Sequence, residues 1–184
     1  MTEESGNPLP ETAENRSSRF AAFRRLEPVW TAVLVLGLVA AILMVVSEFA
    51  TLRSVKVLTA SCSDLADPSL RGSCVTHGGE EHSYALVLMG LVTALMAWGA
   101  AFGRSRPAAF ALVAIGAAVL AIAFLTDVPD IHKTGVLGER FDSAHATPGP
   151  ALYTEIIGGA LALAAGVVAL TARPRTLKRR TRRR

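Results

Sequence analysis

Four long apolar runs, Val29–Val46, Ser83–Phe102, Pro107–Thr126 and Leu152–Ala172, constrain this chain more than any other feature. At a rise of about 1.5 Å per residue, some twenty helical residues cover about 30 Å, the thickness of a bilayer's hydrocarbon core. The second and third runs contain no charged residue. The first meets Glu48 only after Val46, and the fourth carries Glu155 near its start. Helices of a soluble bundle keep a polar stripe toward water, and these runs leave no room for one. With 51% hydrophobic residues and a mean hydropathy of +0.40, the chain is predicted to be an all-α membrane protein. Its expected form is an antiparallel bundle of four transmembrane helices under a small, disulfide-stapled extracytoplasmic cap.

Charge orients the bundle. If every run crosses, the two tails and the Gly103–Arg106 turn share one side, which holds 14 of the 19 Lys and Arg but 5 of the 15 acids. Basic residues are retained on the cytoplasmic side during insertion, so both termini are expected inside. The predicted organisation has a polar cytoplasmic tail over 1–28, with a short interfacial helix at Phe20–Leu26. Spans follow over 29–50, 83–102, 107–126 and 152–172. External loops cover 51–82 and 127–151, a cytoplasmic turn covers 103–106, and a basic tail closes 173–184. The first span is expected to act as an uncleaved signal anchor. Arginine outnumbers lysine 16 to 3, a usage that suggests a GC-rich bacterium and its inner membrane. Arg24, Arg25, Arg104, Arg106, Arg179, Arg180 and Arg183 are expected to hold the inner face to anionic lipid. The basic tail lacks the aromatic residues that stack on nucleic acid, so no nucleic-acid partner is expected.

Finer features agree with this layout. Trp30 and Trp98 fall near the inner boundary and Tyr84 and Tyr153 near the outer one, as in aromatic belts. The short Gly103–Arg106 turn makes the second and third spans antiparallel neighbours. Gly158, Ala162 and Gly166 recur every four residues, a spacing that lets helices approach closely in lipid. Arg53-Ser-Val-Lys-Val57 alternates polar and apolar residues, fitting either a short strand or a continuation of the first span.

Candidate chemistry gathers outside. Cys62 and Cys74 are expected to form a disulfide in an oxidising compartment, where closing so short a loop contributes about 2–3 kcal/mol. Imidazole and carboxylate suit zinc or a similar divalent ion, which makes His77, Glu81, His82, Asp130, His132 and His145 a weak metal set. The His77–His82 segment misses the H-x-x-E-H protease spacing by one residue. A second group is more constrained: Glu48 ends the first span, His82 precedes the second, Asp127 ends the third and Glu155 opens the fourth. Acids at such depth face a partner, face a wet cavity or snorkel to the surface, so these four form a candidate ion or ligand ring.

The layout is similar to claudins and tetraspanins in topology alone, because their Trp-Leu-Trp and Cys-Cys-Gly patterns are missing. With no nucleophile–base pair and no established metal motif, a non-enzymatic accessory protein of the envelope is expected. It would act through its cap on an envelope partner or on a second copy of itself, without a cofactor. The alternative from a different class is a protein that binds or transports an ion, metal or small ligand through the outer ring.

Overall fold

The computed structural model describes residues 27–56 and 73–172. Cys62, Arg24, Arg25, Arg179, Arg180 and Arg183 lie outside the described residues, so the expected disulfide and most of the basic anchor do too. In chain order the elements are helix α1 (Pro28–Phe49), strands β1 (Thr51–Lys56) and β2 (Val75–His77), and helices α2 (Gly78–His82) and α3 (Ala85–Gly103). Helix α4 (Arg106–Ile122) runs through a π-helical turn (Ala123–Asp127) into α5 (Val128–Asp130). Helix α6 (Gly135–Arg140), strand β3 (His145–Pro148) and helix α7 (Pro150–Thr171) complete the fold.

Four of these helical runs are long and apolar enough to cross a bilayer, the architecture of a multi-pass membrane protein. Proline opens α1, α4 and α7 within the first two positions, where its missing N–H has no intrahelical partner to lose. Between α3 and α4, Arg104 adopts a left-handed conformation (φ 49°). Ser105 then caps α4, its hydroxyl accepting the Ala108 N–H at 3.5 Å.

The long helices form a four-membered ring in which α1 touches α3 and α7, and α4 touches α3 and α7. Small residues set the spacing. A Cβ on Gly116 of α4 would lie 2.5 Å from the Leu163 backbone nitrogen and 2.7 Å from the Gly159 carbonyl of α7. Gly158 and Gly166, two of the three small residues singled out by spacing, face different partners. Gly158 sits against Ala40 and Leu43 of α1, and Gly166 against Ala109 and Val113 of α4. Ala162 is fully buried with Ala40, Met44 and Val119. The small face of α7 is thus used inside the bundle.

One expectation needs correction. The fold is mostly helical but not all-α: a small three-stranded sheet, order β2-β1-β3, is built on one end of the bundle. Strand β1 pairs antiparallel with β2, from the same loop, and with β3, from just before α7. The pairing was hidden because β2 and β3 are three and four residues long and meet β1 from remote stretches of chain. A register shift between Thr51 and Arg53 also spoils the alternation in β1, leaving Leu52 and Val55 as its buried side chains. Arg53 knits the cap together, its Nη1 donating to the Asp130 carbonyl (3.2 Å) and its Nε to the Thr76 hydroxyl (3.3 Å). Cys74 is buried in the cap with Val55 and Leu137.

Trp30 is buried in the bundle with Val33, Ala97 and Ala165, and exposed Arg104, from the turn between α3 and α4, lies 5.5 Å above its ring. Arg104 also approaches Glu27 at 3.9 Å.

Candidate metal centre

Each wall of the site has a local reason for its place. Helix α2 sits on the C-terminal end of α1 because Gly78 and Gly79 present no side chains there. A Cβ on Gly78 would lie 2.5 Å from the Ser47 carbonyl and 3.1 Å from the Glu48 Cα. At its start, the His77 N–H donates to Glu80 Oε2 (3.4 Å) in a reciprocal cap. At its end, Ser83 and Tyr84 are both left-handed (φ 51° and 63°), a costly conformation for residues with a Cβ. This double turn feeds α3 and leaves His82 at the junction of cap and bundle.

Asp127 is delivered by the π turn. Pro129 has no N–H, and its ring would collide with the Leu125 carbonyl in a regular helix. Widening the turn relieves that conflict, and single π turns recur at functional sites. Here Phe124 and Leu125 stay exposed while Asp127 is 3% exposed. Glu155, 1% exposed, projects from α7. Glu48, also 1% exposed, ends α1, and its Oε1 accepts the Leu86 N–H of α3 at 2.7 Å.

These groups converge. His82 Nε2 lies 3.5 Å from Asp127 Oδ1 and 3.9 Å from Glu155 Oε2. One ligand atom from each of His82, Asp127 and Glu155 falls within 4.8 Å of the others. Ligands about 2.1 Å from a tetrahedral ion stand about 3.4 Å apart, so contraction of well under an ångström per side chain would enclose one. The contacts are too long to be good hydrogen bonds. Glu48 Oε2, His82 Nε2, both Asp127 oxygens and Glu155 Oε1 are buried without a hydrogen-bond partner. Native proteins leave few such atoms, and a buried carboxylate without compensation is among the most costly.

The imidazole answers to this field. His82 is raised above its ordinary value of 6.5, first by the Asp127 side chain beside it and further by the charges of Glu155 and Glu48, with its own burial opposing. A raised value means that the charged ring stabilises the fold fully below about pH 6.5, and that this contribution fades as pH rises through the higher native value. In chelator, the melting temperature is expected to fall as pH is raised from 6 to 9. His82→Gln should flatten that slope, and an equal slope in both proteins would remove His82 as its origin.

The other candidates are not brought together. His77, Glu81, His132 and His145 are exposed. His145 Nδ1 lies 3.4 Å from the Ser143 carbonyl, and Asp130 is paired with Lys133 at 2.6 Å. Of the weak metal set, only His82 joins the cluster. Sequence reading missed the Leu86 N–H, a backbone donor that no side-chain pattern reports. It also missed the π turn, for which Pro129 two residues after Asp127 was the available signal.

The chain matches no family model, no curated protein and no solved structure.

Proposed function

We propose that this protein is a small, non-enzymatic membrane protein that binds a divalent cation where its cap meets the bundle. His82, Asp127 and Glu155 would hold the ion, drawing the cap-side helix α2 onto α4 and α7. The observation that carries this reading is the convergence of these side chains with their buried oxygens unpartnered. Helix caps and solvated surface acids have no need to meet. Imidazole with two carboxylates suits Zn²⁺, Mn²⁺ or Fe²⁺ better than soft thiolate-seeking ions, and two carboxylates neutralise a divalent charge.

Binding is favoured over conduction by what lies deeper in the bundle. The Ser47 hydroxyl donates to the Met44 carbonyl (2.7 Å) and the Thr93 hydroxyl to the Met89 carbonyl (2.7 Å). Beyond them Val33, Ala97, Ala100, Leu112 and Ala165, each fully buried, fill the axis. An ion entering from the cap therefore meets a packed apolar plug. The same reading sets the protein in a bacterial inner membrane, tails inside and cap outside, with Cys62 and Cys74 joined in the cap.

The test is calorimetric and thermal. Detergent-purified protein stripped with chelator is titrated with Zn²⁺, Mn²⁺, Mg²⁺ and Ca²⁺. An ion at a hundred times its Kd stabilises by about 2.7 kcal/mol, which for a chain of this size is a rise of about 5–11 °C in Tm. Binding should release protons, since His82 ligates only when neutral. If none of the four ions binds or shifts Tm, the reading fails.

A further inference from the structure

His82 lies midway along a short bridge between α2 and α3, and both ends of that bridge rest on the same end of α1. Four residues before His82, the Gly78 N–H donates to the Ala50 carbonyl at 3.3 Å. Beside it, a Cβ on Gly79 would lie 3.3 Å from the Glu48 carbonyl. Four residues after His82, the Leu86 N–H donates to Glu48 Oε1 at 2.7 Å. Leu86 is the second residue of α3, so its N–H has no intrahelical partner. The residue at the capping position, Tyr84, supplies no side-chain bond. Glu48 stands in for it from 38 residues earlier in the chain.

The bridge does not hold its own shape. Ser83 and Tyr84 are consecutive non-glycine residues with φ 51° and 63°, and such conformations persist only where the surroundings over-determine them. Releasing either end would let the pair relax toward ordinary backbone and swing the neighbouring imidazole. The upstream end is held by close packing, since Gly78 and Gly79 are buried between α1 and the Tyr84 ring. The polar fastening of the downstream end is Glu48. Leu86 is fully buried and Glu48 is 1% exposed. Without the carboxyl group, the Leu86 N–H is left buried and unsatisfied, which is the expensive case.

Resting on the cation-binding reading, we propose that Glu48 is a positioning residue for the site. By capping α3 at Leu86 it fixes the left-handed turn that aims His82 at Asp127 and Glu155. Glu48 touches no ion in this arrangement and acts through the imidazole alone. The task requires an oxygen acceptor, so an amide serves as well as a carboxylate. Imidazole suits Zn²⁺, whereas carboxylate oxygen suits Mn²⁺. Displacing His82 therefore weakens Zn²⁺ binding more than Mn²⁺ binding, and the ratio of the two affinities reports on the ring rather than on general stability.

Zn²⁺ and Mn²⁺ affinities are measured by calorimetry on chelator-stripped protein carrying Glu48→Leu, Glu48→Met or Glu48→Gln, and circular dichroism identifies the folded variants. The two apolar variants remove the acceptor. Their Zn²⁺ affinity should fall by about 10–100-fold, as for other groups that orient a metal ligand, with a smaller fall for Mn²⁺. Glutamine keeps an oxygen for the Leu86 N–H and should bring Zn²⁺ affinity back near that of the unaltered protein. In a His82→Ala background, Mn²⁺ affinity should be indifferent to Glu48→Leu, the non-additivity of residues that act as a unit. Unchanged Zn²⁺ affinity in a folded apolar variant overturns the positioning role and leaves ion binding intact, as do equal losses for the two ions. A loss of about tenfold in Glu48→Gln does the same, and that variant decides the question even where neither apolar one folds. Failure of the unaltered protein to bind either ion overturns both readings.

Discussion

Asp127→Asn is expected to move two observables in opposite directions. Cation affinity should fall by more than about a hundredfold, because altering a mere supporting partner of a metal ligand already costs 10–100-fold. In chelator at pH 8, the same variant should melt a few degrees higher than the unaltered protein. Both Asp127 oxygens are buried without a hydrogen-bond partner, and a second buried carboxyl group, Glu155, shares the same imidazole nitrogen at 3.9 Å. Removing one charge therefore relieves repulsion and desolvation, and about 1 kcal/mol corresponds to about 2–4 °C at this chain length. This pairing distinguishes a ligand site from a structural ion pair. If Asp127 served mainly to hold His82⁺, its loss would lower Tm in chelator and leave ion affinity small in both proteins. Glu155→Gln should repeat the pattern, since Glu155 approaches the same imidazole nitrogen at 3.9 Å.

Much of this site could be read from the chain, for a physical reason. A bilayer rations ionisable groups so strictly that one acid or histidine at the end of each apolar run becomes conspicuous. Alternating spans then bring those ends to one side without any knowledge of packing. Glu48, His82, Asp127 and Glu155 were visible in this way. Their mutual distances were not, because these depend on the ring order of the helices and on the rotation of each about its axis. Hydrophobic periodicity fixes rotation in a soluble bundle, but runs that are apolar all round give no such signal. Here the rotation is set by where small residues allow contact, as Gly158 does against α1 and Gly116 against α7. The sheet was obscured for another reason. Its strands bury few side chains and pair across large sequence separations, so each segment alone resembles a polar loop. The weak metal set shows the converse error. His77, His132 and His145 were grouped by residue type, yet in a cap open to water nothing forces such side chains together.

The dependence of the site on remote packing gives the other large effect. Gly116→Leu should separate α4 from α7 and lose most of the folded protein in detergent. Three atoms around the missing Cβ, Leu163 N at 2.5 Å, Gly159 O at 2.7 Å and Leu163 Cα at 2.9 Å, belong to the facing backbone and cannot rotate away as a side chain does. Gly116→Ala is the informative intermediate. Overpacking of this kind costs about 1–3 kcal/mol, a loss of about 2–12 °C in Tm at this chain length. Asp127 and Glu155 extend from the two helices that this contact joins, Asp127 about three turns beyond Gly116. Prying the helices apart should widen the gap between the carboxylates and weaken cation binding, although no ligand has been touched. A Gly116→Ala protein that melts lower but binds Mn²⁺ or Zn²⁺ as tightly as before would show that the cap holds Asp127 and Glu155 together without the α4–α7 seam. Loss of both properties together would make the glycine seam the element that spaces the site.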